Sequence, residues 1–318
     1  MKLGIVYAGQ GSQKVGMGKD FYENCELFRE TYDGAGEAVK DVNPFDVKAL
    51  CFDGPIEKLS ETKFTQPAMV SFAVGVTKLL KKENINPDFV CGLSLGEYSA
   101  LYAAGVLDEK TVINLVAKRG KFMTEASAGR AVKMAAVLMT ERDTVLDCCR
   151  KATEEFGGEK IVQAANFNCP GQIVISGDAE AVDRASSLLT EAGTKRIIPL
   201  NVSGPFHTSL MKPAGDKLRA ELEKVSFAEA TSRVIFNCVG REMEPCENVV
   251  DLLERQVQSS VYLEDSIRYM ADEGVDTIVE VGPGNAIGKF VKKTAPDIKV
   301  LNIDSYEDYL AAIKELKA

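Results

Sequence analysis

Two residues in this sequence can do nucleophilic chemistry together. One is Ser94, framed as Gly92-Leu93-Ser94-Leu95-Gly96, and the other is His207, the only histidine in 318 residues. A serine hydroxyl is a weak nucleophile until a general base takes its proton, and near neutral pH imidazole is the usual base. If Ser94 works with a histidine base, that base is His207, titrating from an unperturbed pKa of about 6.5. The G-x-S-x-G frame describes a nucleophile elbow, whose small glycines let a strand turn sharply into a helix with the hydroxyl held clear. Taken bare, the same residues describe an ordinary glycine-bounded turn. The flanks favour the elbow. Residues 87–91 form a short apolar run that suits a buried strand, and 95–106 are rich in Ala, Leu and Tyr without proline, which suits a buried helix.

Four other segments carry residues of interest. Gly9-Gln10-Gly11-Ser12-Gln13 follows the first apolar run. Its spacing is not G-x-G-x-x-G, and no acidic residue ends a second strand at the required distance, so dinucleotide binding is excluded. Such a loop can bring a backbone N–H near the elbow, where the N–H of Leu95 would complete an oxyanion hole. Lys118-Arg119-Gly120-Lys121-Phe122-Met123 is expected to end a helix beginning near Glu109, where cations complement the helix C-terminus. Residues 165–172, with two asparagines, Pro170 and Gly171, predict a tight turn between two strands. Gly204-Pro205-Phe206-His207 predicts a loop. A lone histidine is usually solvent-facing, and only Ser94 gives this one a partner.

These residues need a scaffold, and the chain supplies an α/β pattern in which short apolar runs alternate with helical ones. Strands are predicted at 3–8, 88–92, 234–238, 277–281 and 298–303. A helix is predicted over 65–82, capped by Thr65 with Pro67 in its first turn, and Ser305-Tyr306-Glu307-Asp308 predicts a capping box opening a last helix. One stretch keeps a different rhythm: strand 133–139, helix 142–155, strands 161–166 and 172–176, helix 179–192, strand 194–199. That βαββαβ order is the ferredoxin-like unit. The sequence therefore predicts an α/β catalytic domain of residues 1–128 and 200–318, carrying an inserted ferredoxin-like subdomain at 129–199. The active site is expected between the two.

Composition narrows the function. A net charge of −9 argues against a nucleic-acid partner, whose phosphates need a basic face. The eight cysteines form no CxxC pair and stand near no histidine cluster, so no metal site is expected. They suit small core residues in a reducing cytoplasm. The first residues open directly into Leu3-Gly4-Ile5-Val6-Tyr7, with neither a signal-peptide core nor a membrane span, so a cytoplasmic protein without a membrane partner is predicted.

Read together, GQGSQ at 9–13, TQPA at 65–68, GLSLGEYSAL at 92–101, KRGKFM at 118–123, MAAVL at 134–138, ANFNCPGQIVISG at 165–177, GPFH at 204–207 and EVGPG at 280–284 resemble the malonyl-CoA:acyl carrier protein transacylases of bacterial fatty acid synthesis. The resemblance implies an α/β-hydrolase-like core with a ferredoxin-like subdomain and no bound cofactor. The substrates it implies are malonyl-CoA and the phosphopantetheine thiol of acyl carrier protein. It also implies roles. Ser94 carries the acyl ester and His207 is the base, oriented by a backbone carbonyl near Gln256 in place of an aspartate. Gln10 and Leu95 give the oxyanion N–H groups. Arg119 pairs with the malonyl carboxylate, Gln66 and Gln256 line the site, and Phe206 favours malonyl over methylmalonyl.

The sequence departs from the family pattern at Leu93, where a histidine is usual, at Tyr7-Ala8, and at Ser260-Val261-Tyr262-Leu263. None removes a chemically required group. The sequence leaves other functions open: a malonyl loader for a polyketide synthase, a serine thioesterase or lipase, and a non-catalytic scaffold that docks carrier proteins. Carrier proteins of this kind are acidic, so a local basic patch is expected, with Lys63, Arg130, Lys133, Lys195, Arg196 and Lys289 as candidates.

Overall fold

The computed structural model describes residues 1–318. Its strands are β1 (Leu3–Tyr7), β2 (Phe89–Gly92), β3 (Val132–Leu138), β4 (Val162–Cys169), β5 (Gln172–Asp178), β6 (Arg196–Leu200), β7 (Arg233–Val234), β8 (Val261–Tyr262), β9 (Thr277–Val281) and β10 (Lys299–Ile303). They form two sheets. The first runs β10-β9-β1-β2-β7 with every neighbouring pair parallel. Parallel strands need helical crossovers that cover both faces, so their sequences are apolar throughout. Accordingly β1, β2 and β9 are buried at every position. Alternate side chains of β1 serve opposite cores: Ile5 and Tyr7 join one apolar cluster and Val6 the other.

The second sheet runs β6-β3-β5-β4-β8. Its first four strands, with helices Arg142–Glu155 and Ala179–Glu191, give the βαββαβ ferredoxin-like arrangement. Ala135 and Val137 of β3 pack under those helices, while Met134 and Ala136 face the main core. The fifth strand comes from elsewhere. β8 pairs parallel to β4 through Asn166–Val261 and Phe167–Tyr262. The Phe167 and Tyr262 rings stack with centroids 5.1 Å apart, and the Arg142 guanidinium lies 3.9 Å from the Phe167 centroid. The fold is α/β, a parallel core carrying a ferredoxin-like subdomain, and no helix is long and apolar enough to cross a membrane.

Several sequence expectations need local correction. The helix expected from residue 65 begins one turn earlier, at Thr62, with Glu61 at its N-cap. Thr65 therefore bonds backward, its hydroxyl donating to the Leu59 and Glu61 carbonyls at 2.5 and 3.1 Å. Pro67 then lies inside the helix, and the Lys63 carbonyl that its missing N–H leaves free accepts from Asn43 Nδ2 at 3.3 Å. Residues 118–123 do not end a helix. The helix spans Glu109–Ser127, and Gly120 permits its close approach to the helix Thr62–Lys82, since a Cβ there would stand 2.8 Å from the Thr62 carbonyl oxygen. The asparagines of 165–172 do not turn the chain: β4 continues to Cys169, irregular after Ala164 and Phe167, and Gly171 at φ 70° turns it. The strand expected over 234–238 is β7 alone, because Phe236 N–H bonds to Arg241 O and diverts the chain. The last capping box forms as the sequence predicts, opening the helix Tyr306–Leu316.

Candidate active site

Ser94 sits where β2 ends and the helix Gly96–Ala103 begins, with φ at 53°. A non-glycine residue in that left-handed region costs on the order of 1 kcal/mol or more and persists only where its surroundings impose it. Here the surroundings are tight. A Cβ on Gly92 would stand 2.1 Å from the Gly96 carbonyl carbon, and one on Gly96 2.1 Å from the Tyr7 carbonyl oxygen. Both backbone groups of Ser94 are held by buried amides: its N–H donates to Asn237 Oδ1 at 2.7 Å, and its carbonyl accepts from Gln256 Nε2 at 2.7 Å.

The loop before the 3-10 turn Ser209–Met211 brings His207 to the serine, with φ at 60° and only 4% of its surface exposed. Ser94 Oγ lies 2.7 Å from His207 Nε2, and His207 Nδ1 lies 2.9 Å from the Gln256 carbonyl oxygen. A carbonyl only accepts, so Nδ1 carries the proton and Nε2 presents its lone pair to the serine hydroxyl. Burial, and then the nearby Arg119 charge, lower the imidazole pKa to about 4 despite the carbonyls of Gln256 and Ser259 that raise it. The unperturbed value assumed from sequence is therefore too high. The imidazole is neutral at physiological pH and able to accept a proton.

Arg119 is 1% exposed. Its Nη2 donates to Ser94 Oγ at 3.1 Å and to Gln256 Oε1 at 3.0 Å, its Nε is buried without a partner, and its guanidinium carbon lies 5.5 Å from the Tyr98 ring centroid. Gln256 thus touches Ser94, His207 and Arg119 at once. Gln66 stands apart from that group: its Nε2 meets Met123 Sδ at 3.4 Å, one turn beyond Arg119, and its buried Oε1 has no partner. Phe206 is buried, with its ring over Gly204. Gln10 Nε2 donates to Thr62 Oγ1 at 2.9 Å, while the backbone N–H groups of Gln10 and Leu95 have no partner within the chain. Gly9 packs on the Leu93 carbonyl, where a Cβ would stand at 2.4 Å, and this sets the Gln10 loop against the elbow.

A cleft of about 940 Å³ opens beside the Gln10 loop and Leu93, and His207 lines a separate one of about 560 Å³ with Gln163, Gln258 and Ser259. Gly9, Gln10 and Leu93 line one side of the larger cleft, Asn168 and Gln172 of the small sheet another, and Lys289, Lys292 and Lys293 of the helix Ala286–Thr294 the rim. Of the basic residues singled out from sequence, Lys63, Arg130 and Lys133 are paired with Glu61, Asp178 and Asp183. Lys195, Arg196 and Lys289 make no ion pair, and Lys289 alone of the six reaches this cleft.

Sequence reasoning missed two buried residues at the elbow, Asn237 and Glu97. A lone amide directly after the apolar run Val234-Ile235-Phe236 was the available signal for the first, and a carboxylate inside the otherwise apolar start of a helix for the second.

Comparison with known proteins agrees with this geometry. The family model described as an acyl transferase domain matches residues 5–307. The malonyl CoA-acyl carrier protein transacylase of Bacillus subtilis (strain 168) is 41% identical over 316 residues, covering 99% of this chain and 98% of that protein. The crystal structure of malonyl CoA-acyl carrier protein transacylase from Clostridium perfringens superposes with a TM-score of 0.93 at 39% identity, covering 100% of this chain and 98% of the other. A malonyl-transacylase solved in complex with its type II polyketide synthase acyl-carrier protein gives a TM-score of 0.93 at 32% identity, covering 99% and 100%. With an elbow serine that a single histidine and a buried arginine both reach by hydrogen bond, and this extent of likeness, the chain belongs to the malonyl-CoA:acyl carrier protein transacylase family of acyltransferases.

Proposed function

We propose that this protein moves the malonyl group of malonyl-CoA to the phosphopantetheine thiol of acyl carrier protein, through a malonyl ester on Ser94, and so supplies fatty acid synthesis. The observation that carries the reading is the contact of Ser94 Oγ with His207 Nε2 at 2.7 Å and Arg119 Nη2 at 3.1 Å. His207 takes the serine proton as Oγ attacks the thioester carbonyl. The developing oxyanion falls to the free N–H groups of Gln10 and Leu95, each worth about 3–4 kcal/mol to such a transition state. As the tetrahedral intermediate collapses, His207 gives the proton to the departing CoA sulfur. The carrier thiol then enters, passes its proton to His207 and takes the malonyl group. Water must stay out between the two halves, or the ester is hydrolysed.

Arg119 reads the free carboxylate of malonyl in this proposal. A guanidinium pairs two parallel N–H groups with a carboxylate; Nη1 has no hydrogen bond within the chain, and acylation of Ser94 would release the Nη2 hydrogen now donated to its Oγ. Gln256 holds the arginine, the serine carbonyl and the histidine in one frame, Gln66 lines the acyl pocket, and buried Phe206 narrows it against an α-methyl branch. No cofactor is required, because imidazole, guanidinium and backbone dipoles supply every group the transfer uses. Lys289 and Lys293, which make no ion pair, suit an acidic carrier from the edge of the cleft beside the Gln10 loop. The catalytic domain is assigned to residues 1–128 and 200–318 and the subdomain to 129–199, in the cytoplasm where malonyl-CoA and carrier protein meet.

Incubating the protein with malonyl-CoA, quenching in acid and mapping the modified peptide tests the covalent step: the adduct belongs on Ser94. The complex with a polyketide carrier among the solved relatives favours one second reading, a loader of polyketide carriers. Transfer rates to fatty acid and polyketide carrier proteins, measured side by side, separate the two.

A further inference from the structure

Asn237 is wholly buried just beyond β7, outside every segment that carried the sequence resemblance, yet three of its four hydrogen-bonding groups converge on the elbow. Its Oδ1 accepts from Ser94 N–H at 2.7 Å and its Nδ2 donates to the Gly92 carbonyl at 2.7 Å. Its backbone N–H donates to Glu97 Oε2, and its carbonyl accepts from Tyr262 N–H at 2.8 Å. One residue thus grips the last residue of β2, the nucleophile and the helix that follows, and bonds β8 on its far side.

The arrangement is asymmetric in a way that identifies the side chain. Only an amide both accepts from an N–H and donates to a carbonyl with no proton to lose; a carboxylate cannot donate and a hydroxyl is too short to span both. Ser94 at φ 53° has one backbone group held by Gln256 and the other by Asn237, so the left-handed conformation is fixed from two sides. Without the second hold, Ser94 can relax toward ordinary backbone angles. Its Oγ would then leave the line between His207 and the thioester carbonyl.

We propose that Asn237, seated by Glu97, is a positioning residue for the transfer reaction: it holds Ser94 in the conformation from which Oγ attacks. This rests on Ser94 being the nucleophile, and it concerns how the serine is presented, not what it is given. Burial supports the pairing, because it raises the Glu97 pKa to about 8, so the group seating Asn237 is a neutral acid near pH 7. The titratable groups facing Glu97 are Arg119, Tyr98, Cys91 and Cys238. Of these only Arg119 is charged near neutral pH, and it lowers the Glu97 pKa without offsetting burial.

The test is the rate of malonyl-Ser94 formation in rapid-quench experiments, expressed per folded enzyme, across the pH range above the His207 pKa of about 4. Asn237→Ala is expected to slow acylation about 100-fold, the usual consequence of misplacing a reacting atom by about 1 Å, with the KM for malonyl-CoA changed far less. Asn237→Asp gives the sharper signature. Ionised, the new carboxyl accepts from Ser94 N–H but repels the Gly92 carbonyl; protonated, it restores both bonds. Its acylation rate relative to wild type should therefore rise at least about tenfold as pH falls from about 8 to about 5, a change of roughly 1.4 kcal/mol. Should Asn237→Asp not fold at the higher pH, Glu97→Ala and Glu97→Gln carry the same test. The alanine slows acylation, and the glutamine, which keeps an acceptor for Asn237 N–H, restores it. A pH-independent ratio for Asn237→Asp, wild-type acylation in Asn237→Ala, or equal rates in the two Glu97 variants would overturn the proposal. A wild-type adduct on any residue other than Ser94 would instead overturn the function on which it rests.

Discussion

Replacing Arg119 by alanine separates recognition from chemistry, because the guanidinium touches Ser94, the proposed nucleophile, and the proposed carboxylate site. Arg119 is 1% exposed and bonded to Ser94 Oγ and Gln256 Oε1, so any ion pair it makes with malonyl is shielded from water. Removing one partner of such a pair costs about 2–5 kcal/mol. At about 1.4 kcal/mol per decade, that is a loss of roughly 30- to 4,000-fold in kcat/KM for malonyl-CoA. Acetyl-CoA, which has no carboxylate, should lose little. A second signature follows from the same charge. Arg119 is the second cause, after burial, of the low His207 pKa, so its removal raises that pKa from about 4 toward the ordinary value. The histidine acts as a base only when neutral, so the acid limb of the variant should move to higher pH. The assay is kcat/KM for both thioesters from about pH 4 to pH 8 in wild type, Arg119→Ala and Arg119→Lys. The lysine keeps the charge without the fork, so it should hold the limb near its wild-type position while recovering only part of the malonyl preference. Equal losses for the two thioesters with an unmoved limb would refute the reasoning and reduce Arg119 to a support for Gln256.

Ser94→Ala should abolish the malonyl adduct seen by peptide mapping, and an adduct on any of the eight cysteines would displace Ser94 from its role. In wild type, transfer should persist on acidification until about pH 4, the folded-state value for His207, instead of failing near its ordinary value of about 6.5; His207→Ala should lose that limb along with most of the rate. Glu97 predicts a stability effect of opposite sense. Its folded pKa is raised to about 8, so the folded state binds a proton the unfolded state has lost. Stability is then full below about pH 4.3 and declines as pH rises through about 8, by up to about 1.4 kcal/mol per pH unit. Glu97→Gln has no such slope, and parallel urea-unfolding profiles for the two proteins between about pH 5 and pH 8 would show that the carboxyl is ionised.

Legibility in the sequence followed how local each signal is. The elbow is five contiguous residues whose glycines are demanded by contacts of about 2 Å, so its spacing carries most of its geometry. The buried strands β1, β2 and β9 announce themselves as unbroken apolar runs, as a parallel sheet covered on both faces requires. Arg119 was harder. Its neighbours Lys118 and Lys121 are ordinary surface cations, and nothing in KRGKFM tells which of the three is buried until the Gly120 contact rotates the helix against Thr62. Asn166 and Asn168 have turn chemistry but sit in β4, because irregularities in the strand re-aim them. The depressed pKa of His207 and the grip of Asn237 depend on residues from five distant parts of the chain, and no local pattern encodes them.

The strand β8 has a consequence for anyone wishing to re-engineer this enzyme by recombination. The small sheet looks like a cassette, since four of its strands are consecutive, and it would be natural to exchange residues 129–199 between relatives to alter carrier preference. Its fifth strand, however, stays behind in the recipient, and with it the Tyr262 ring that stacks on Phe167 beneath Arg142. Tyr262 N–H also bonds the Asn237 carbonyl, so a mismatched graft would disturb the residue that grips Ser94. The transferable module is therefore discontinuous. A chimera should carry Val261–Tyr262 along with the donor subdomain, and a pair of chimeras differing only in those two residues would separate the effect of the seam from that of the rest.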